Sequence, residues 1–138
     1  MSEGEREELL NAARAVRMNA HAPYSRFQVG AAVRGVSGRI HLGVNVENSS
    51  YPTGLCAERA AIAAAITAGE TELVAVAVVT DMEHPAAPCG MCRQALAEFG
   101  SSMDVHLGGA DPSAPVRSES LSDLLPQFFD GRQFKTGK

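Results

Sequence analysis

The chain has little that would suit it to a nucleic-acid backbone, a membrane or an oxidising compartment. Its 12 Lys and Arg are outnumbered by 16 Asp and Glu, for a formal net charge of -4. With both signs interspersed, no basic patch emerges for a polyanionic partner. No stretch approaches the roughly 18 consecutive apolar residues of a membrane span, and the N-terminal MSEGEREELL is charged where a secretory leader would be apolar. These absences give the expectation of a cytoplasmic protein with neither a membrane nor a nucleic acid as partner. Repeats, linkers and low-complexity tracts are also missing, so residues 1–138 are read as one domain, with 130–138 as a candidate mobile tail. There are only three cysteines. In a reducing compartment an odd number points to metal binding or catalysis before disulfides.

What is present is a run of alternating helical and strand signals. Ser2 with Glu5 makes a capping-box pattern ahead of Leu9, Leu10, Ala13 and Val16, which predicts a helix over 3–19. Residues 27–34 and 39–46 read as strands joined by a Gly35-Val36-Ser37-Gly38 hairpin turn, followed by a polar loop over 47–54. The alanine-rich 56–68 reads as a helix stopped by Gly69. Leu73 to Thr80 is a continuous apolar run, as expected of a strand covered on both faces. After a proline-bearing loop over 81–88, a second helix is expected from about Cys89 to Gly100. A strand over 103–107, a weaker one near Val116 and a short helix capped by Ser120 and Asp123 complete the pattern. This order predicts an α/β fold, a mixed central sheet with helices on both faces.

All three cysteines fall in two short motifs, Cys56-Ala57-Glu58-Arg59 and Pro88-Cys89-Gly90-Met91-Cys92-Arg93-Gln94. A helix of about 13 residues runs roughly 20 Å and a strand of about 8 residues roughly 26 Å, so a strand returning antiparallel to its helix brings the two motifs to one edge of the sheet. Both cysteine pieces then lie at helix N-termini, whose partial positive charge stabilises thiolates. Three thiolates can hold one zinc ion and leave a fourth position open, the arrangement of a catalytic site. Glu58 is placed to move protons beside such a metal, and Arg59 to offset the negative charge of the thiolate cluster. Alone, a C-x-x-C is equally a redox pair, and a first-turn glutamate equally a favourable helix start. The two motifs together select the metal site.

On these residues the chain resembles the small, homotetrameric type of zinc-dependent cytidine deaminase. The similarity runs from Pro23-Tyr24-Ser25-Arg26-Phe27-Gln28-Val29-Gly30-Ala31-Ala32 through Asn45-Val46-Glu47-Asn48 and both cysteine motifs to Leu124-Leu125-Pro126. The resemblance implies the three-layer α/β/α fold of that family. It also implies one zinc per subunit on Cys56, Cys89 and Cys92, with Glu58 as the proton shuttle in hydrolytic deamination of cytidine and deoxycytidine to uridine, deoxyuridine and ammonia in pyrimidine salvage. Further implied roles are Asn45 and Glu47 on the ribose hydroxyls, Phe27 as a wall against the pyrimidine and Ala57 as a substrate contact. Gln94 joins Arg59 in supporting the metal ligands. Phe129, with Phe128 not excluded, would reach into a neighbouring subunit, so that the tetramer shares its active sites.

Val44 and Gln28 depart from the commonest family pattern, and the tail beyond Asp130 matches nothing in it. Three rival functions share parts of this pattern. A deaminase of a related cytosine nucleoside such as blasticidin S is disfavoured by the intact N-V-E-N segment. A nucleic-acid editor would need a basic channel. A non-enzymatic zinc module would need a fourth ligand, and none of His21, His41, His84 and His106 lies in a ligand-spaced motif.

Overall fold

The computed structural model describes residues 2–135. Five strands form one sheet in the order β2-β1-β3-β4-β5: β1 (Gly30–Gly35), β2 (Ile40–Val44), β3 (Leu73–Thr80), β4 (Asp104–Gly109) and β5 (Arg117–Ser120). β3 and β4 are parallel and the remaining neighbours antiparallel, so the sheet is mixed as expected. Parallel pairing needs a crossover, and α3 (Gly90–Ala97) supplies it between β3 and β4.

Strand alternation sorts the side chains into two apolar layers. Ala31 and Val33 of β1, with Val76 and Val78 of β3, face α2 (Ala57–Thr67) and α3 in the larger core. Ala32, Ala75, Ala77 and Val79 face Leu9, Leu10 and Ala13 of α1 (Glu3–Arg17) on the other side. The uninterrupted apolar run of β3 therefore fills both layers. The Ser2–Glu5 capping box of α1 is present, and the helix ends at Arg17, two residues earlier than its apolar spacing suggested.

Two local features set the position of the site. Gly43 lies against α2 so closely that a Cβ there would fall 2.2 Å from Ala61 N and 2.4 Å from Ala57 O. Ala57, Ala61 and Ala65 are fully buried on the same face, so small residues on both elements bring the start of α2 down onto the sheet. The strand expected from Phe27 begins only at Gly30. The Asn45 side chain replaces the ladder there: Val29 N donates to its Oδ1 at 2.8 Å, and its Nδ2 donates to Phe27 O at 2.7 Å.

At the other end of the chain, α4 (Leu121–Leu124) precedes a turn in which Gln127 takes φ of +53°. Within the tail expected over 130–138, Gly131–Lys135 form a 3₁₀ helix and 136–138 lie outside the described residues.

Candidate active site

Two helix N-termini converge. Cys56 is the N-cap residue of α2 and Cys89 that of α3, each in extended backbone. Cys92 lies one turn into α3 and is fully buried. The ligand atoms of Cys56, Cys89 and Cys92 all lie within 4.8 Å of one another. Three sulfurs gathered this closely repel one another as thiolates and suit a soft dication that draws them together. The electrostatics agree. The Cys89 thiol is acidified first by the backbone N–H of Cys92, while burial, Glu58 and Cys56 push the Cys92 thiol up. These residues therefore fit a zinc ion.

Glu58 follows in the first turn of α2 and is only 6% exposed. Burial raises its carboxyl above the ordinary carboxylate value, and its own backbone N–H, then the neighbouring Arg59 guanidinium, offset this in part. Arg59 itself leans back over the cluster, its Nη2 donating to Gly54 O at 3.3 Å and toward Cys56 Sγ at 3.9 Å. Its positive charge is thus held against the sulfurs.

Cys56, Cys89 and Glu58 open onto a cavity of about 240 Å³. Phe27, Val29, Ala57, Val78, Ala86 and Ala87 give it apolar walls, with Asn45 and Thr80 as polar contributions. A larger, more open hollow of about 610 Å³ beside His21 and Arg26 holds neither a cysteine nor a buried carboxylate and offers no comparable chemistry. Thr80 and the Ala86-Ala87 pair were not singled out from sequence. The only signal for the alanine pair is the short run of small residues leading into Pro88-Cys89, and for Thr80 its place as the polar end of the apolar strand.

The other expected site residues are dispersed. Asn45 lines the cavity while its amide binds the backbone of Phe27 and Val29. Glu47 lines a separate hollow with Tyr24, Ser25 and Tyr51. Its carboxylate accepts from Tyr24 N at 3.0 Å, from Ser25 N at 3.1 Å and from the Ser25 hydroxyl, the last bond being the main reason its pKa is depressed. Phe128 packs partly buried against the core, whereas Phe129 is 67% exposed with its ring 5.7 Å from that of Phe134. Gln94, expected among the groups supporting the ligands, sends its amide to Phe129 O at 2.8 Å.

The family model for the cytidine and deoxycytidylate deaminase zinc-binding region matches residues 3–107. The chain belongs to this deaminase family. A cytidine deaminase of Halalkalibacterium halodurans is 41% identical over 126 residues, covering 91% of this chain and 94% of that protein. One of Sporosarcina psychrophila is likewise 41% identical, covering 89% and 90%. Among solved structures, the cytidine deaminase of Burkholderia pseudomallei superposes with a TM-score of 0.84 at 42% identity, over 94% of this chain and all of that one. The deaminase fold also extends to the cytidine deaminase structure from Bacillus anthracis, with a TM-score of 0.70 at 18% identity. The family's zinc-binding region includes both cysteine motifs, and zinc is the cofactor.

Proposed function

We propose that this deaminase hydrolyses cytidine and deoxycytidine to uridine and deoxyuridine with release of ammonia, in pyrimidine salvage in the cytoplasm. The observation that carries the proposal is the buried carboxyl of Glu58 facing the same cavity as the gathered thiols. Cys56, Cys89 and Cys92 would hold the zinc, which when bound would acidify a water enough for it to act as a nucleophile near neutral pH. Glu58 accepts a proton from the nucleophile, delivers it to ring N3 and carries a second proton to the departing exocyclic nitrogen. A carboxyl raised by burial is suited to both holding and releasing a proton. The apolar walls, Phe27 and Ala57 included, take the flat ring and keep bulk water from the transfer.

The sugar falls to Asn45 and Glu47. Asn45 Nδ2 retains a second N–H and Oδ1 a second lone pair beyond their backbone bonds. Glu47 keeps acceptor capacity beyond its bonds to Tyr24 and Ser25. The exposed, mutually packed rings of Phe129 and Phe134 support a homotetramer in which Phe129 closes a neighbour's pocket. Residues 1–138 act in it as one domain.

The test is a side-by-side assay of cytidine, deoxycytidine, free cytosine and single-stranded DNA. Turnover of both nucleosides, with little on the other two, is expected. Equal activity on free cytosine would refute the sugar contacts, and a fully active monomer in sedimentation would refute the shared sites.

A further inference from the structure

Helix α3 begins with two of the thiols, and its next residues turn to the C-terminal segment. Arg93 spans two carbonyls: its Nε donates to Pro88 O at 2.7 Å, one residue before Cys89, and its Nη1 donates to Leu124 O at 2.8 Å, where α4 ends. The adjacent Gln94 Nε2 donates to Phe129 O at 2.8 Å. Both ends of the 124–129 segment are therefore tied to the helix that carries Cys92. Between those ties, Gln127 adopts a left-handed φ of +53°, a conformation a non-glycine residue keeps only where its surroundings hold it. Just after it, Phe128 packs against the core and Phe129 lies out in solvent.

We propose that Arg93 and Gln94 are positioning residues that clamp the 124–129 segment, and with it the Phe129 side chain, in register with the three thiols. Each subunit then presents a fixed aromatic arm built onto its own metal-bearing helix. The functional consequence rests on the reading that Phe129 closes a neighbour's pocket. Arg93 is bidentate toward two carbonyls on separate segments, a task for a planar guanidinium that a lysine ammonium does not reproduce.

The test uses Gln94→Leu, which keeps an uncharged side chain of similar bulk and removes the donor. Zinc content and oligomeric state should stay as in the parent. Amide exchange over residues 127–130 should accelerate about fivefold, the weight of one neutral hydrogen bond. KM for cytidine should rise by a similar factor with kcat little changed, the split expected when a pocket wall loosens while the chemistry is intact. Arg93→Lys should give the same exchange signature. Mixing Gln94→Leu with Glu58→Ala after reversible dissociation should restore the parental KM, because sites with an intact Glu58 then receive Phe129 from a clamped chain. Parental exchange and KM in Gln94→Leu, or loss of its zinc, would overturn the clamp. If Phe129→Ala regains nothing on mixing with Glu58→Ala while Gln94→Leu still accelerates exchange, the shared-site reading fails and the clamp stands within one chain.

Discussion

Glu58 and Glu70 are both buried acids, and their surroundings set them to opposite tasks. Glu58 is raised because burial outweighs its own backbone N–H and the Arg59 guanidinium, which both favour the ionised form. Glu58→Gln should therefore fold and bind zinc as the parent does while kcat falls by at least about 10²-fold, the usual contribution of a positioned acid–base group. Steady-state kinetics beside metal analysis checks this, and near-parental turnover would remove Glu58 from the mechanism. Glu70, by contrast, is pinned. It accepts from Ser37 Oγ at 2.5 Å and meets His41 Nε2 at 2.7 Å, and its side chain is 1% exposed. The Ser37 hydroxyl, then His41, lower its pKa from 4.5 to about 2. A depressed carboxyl contributes stability that is present above its unfolded value and lost as pH falls through the folded one. The Glu70 contribution to Tm should thus be intact at pH 6 and decline between about pH 4.5 and pH 2. Glu70→Gln should flatten that part of the profile, and an unchanged acid limb in thermal melts would show that the cluster is not the cause.

At the scale of elements, the decisive contact is α2 against β2. Cys56, Ala57 and Glu58 are delivered by the first turn of a helix whose closeness to the sheet depends on Gly43. Gly43→Ala would place a methyl inside contact distance of backbone atoms of Ala57 and Ala61, which cannot yield as a flexible side chain would. Overpacking of this kind typically costs 1–3 kcal/mol, roughly. Because it strikes beside two site residues, zinc affinity should fall together with stability. Urea unfolding and zinc titration of the variant test the coupling, and a loss of stability with zinc affinity intact would show that α2 shifts as a body without disturbing its first turn. The alanine-rich sequence of α2 was compatible with packing on its own sheet or on another subunit. Ala57, Ala61 and Ala65 are buried within the chain, while Ala63 and Ala64 are exposed on the far side.

At the scale of the whole molecule, a zinc ion would join segments that local structure leaves separate. Cys56 and Cys89 are separated by one helix, one strand and a loop, and a single ion on their thiols would tie α2 to α3. A ligand that binds the folded chain and not the unfolded one raises stability by mass action. Removing zinc with a chelator should therefore lower Tm as well as abolish activity, and re-addition of zinc should restore both. Scanning calorimetry with and without chelator is the check, and an unchanged Tm would mean that the thiols stay gathered through packing alone. No helix among the described residues is long and apolar enough to cross a membrane, in keeping with the absence of a long apolar run in the sequence.

The residues that the sequence determined by itself are those whose meaning is carried by spacing along the chain. The two cysteine motifs, the capping box of Ser2 and Glu5, the glycine turn at 35–38 and the doubly apolar run of β3 all follow from local periodicity or covalent neighbourhood. Element ends were less legible because side chains from elsewhere take over the ladder, as Asn45 does at Phe27 and Val29. Only the tertiary structure could decide that Asn45 enters the thiol cavity while Glu47, two residues on, is held by Tyr24 and Ser25 in another hollow. The same holds for Arg93 reaching Leu124 and Gln94 reaching Phe129, partners 31 and 35 residues away. A donor's choice among distant carbonyls depends on where packing brings them, and no periodicity in the chain records that.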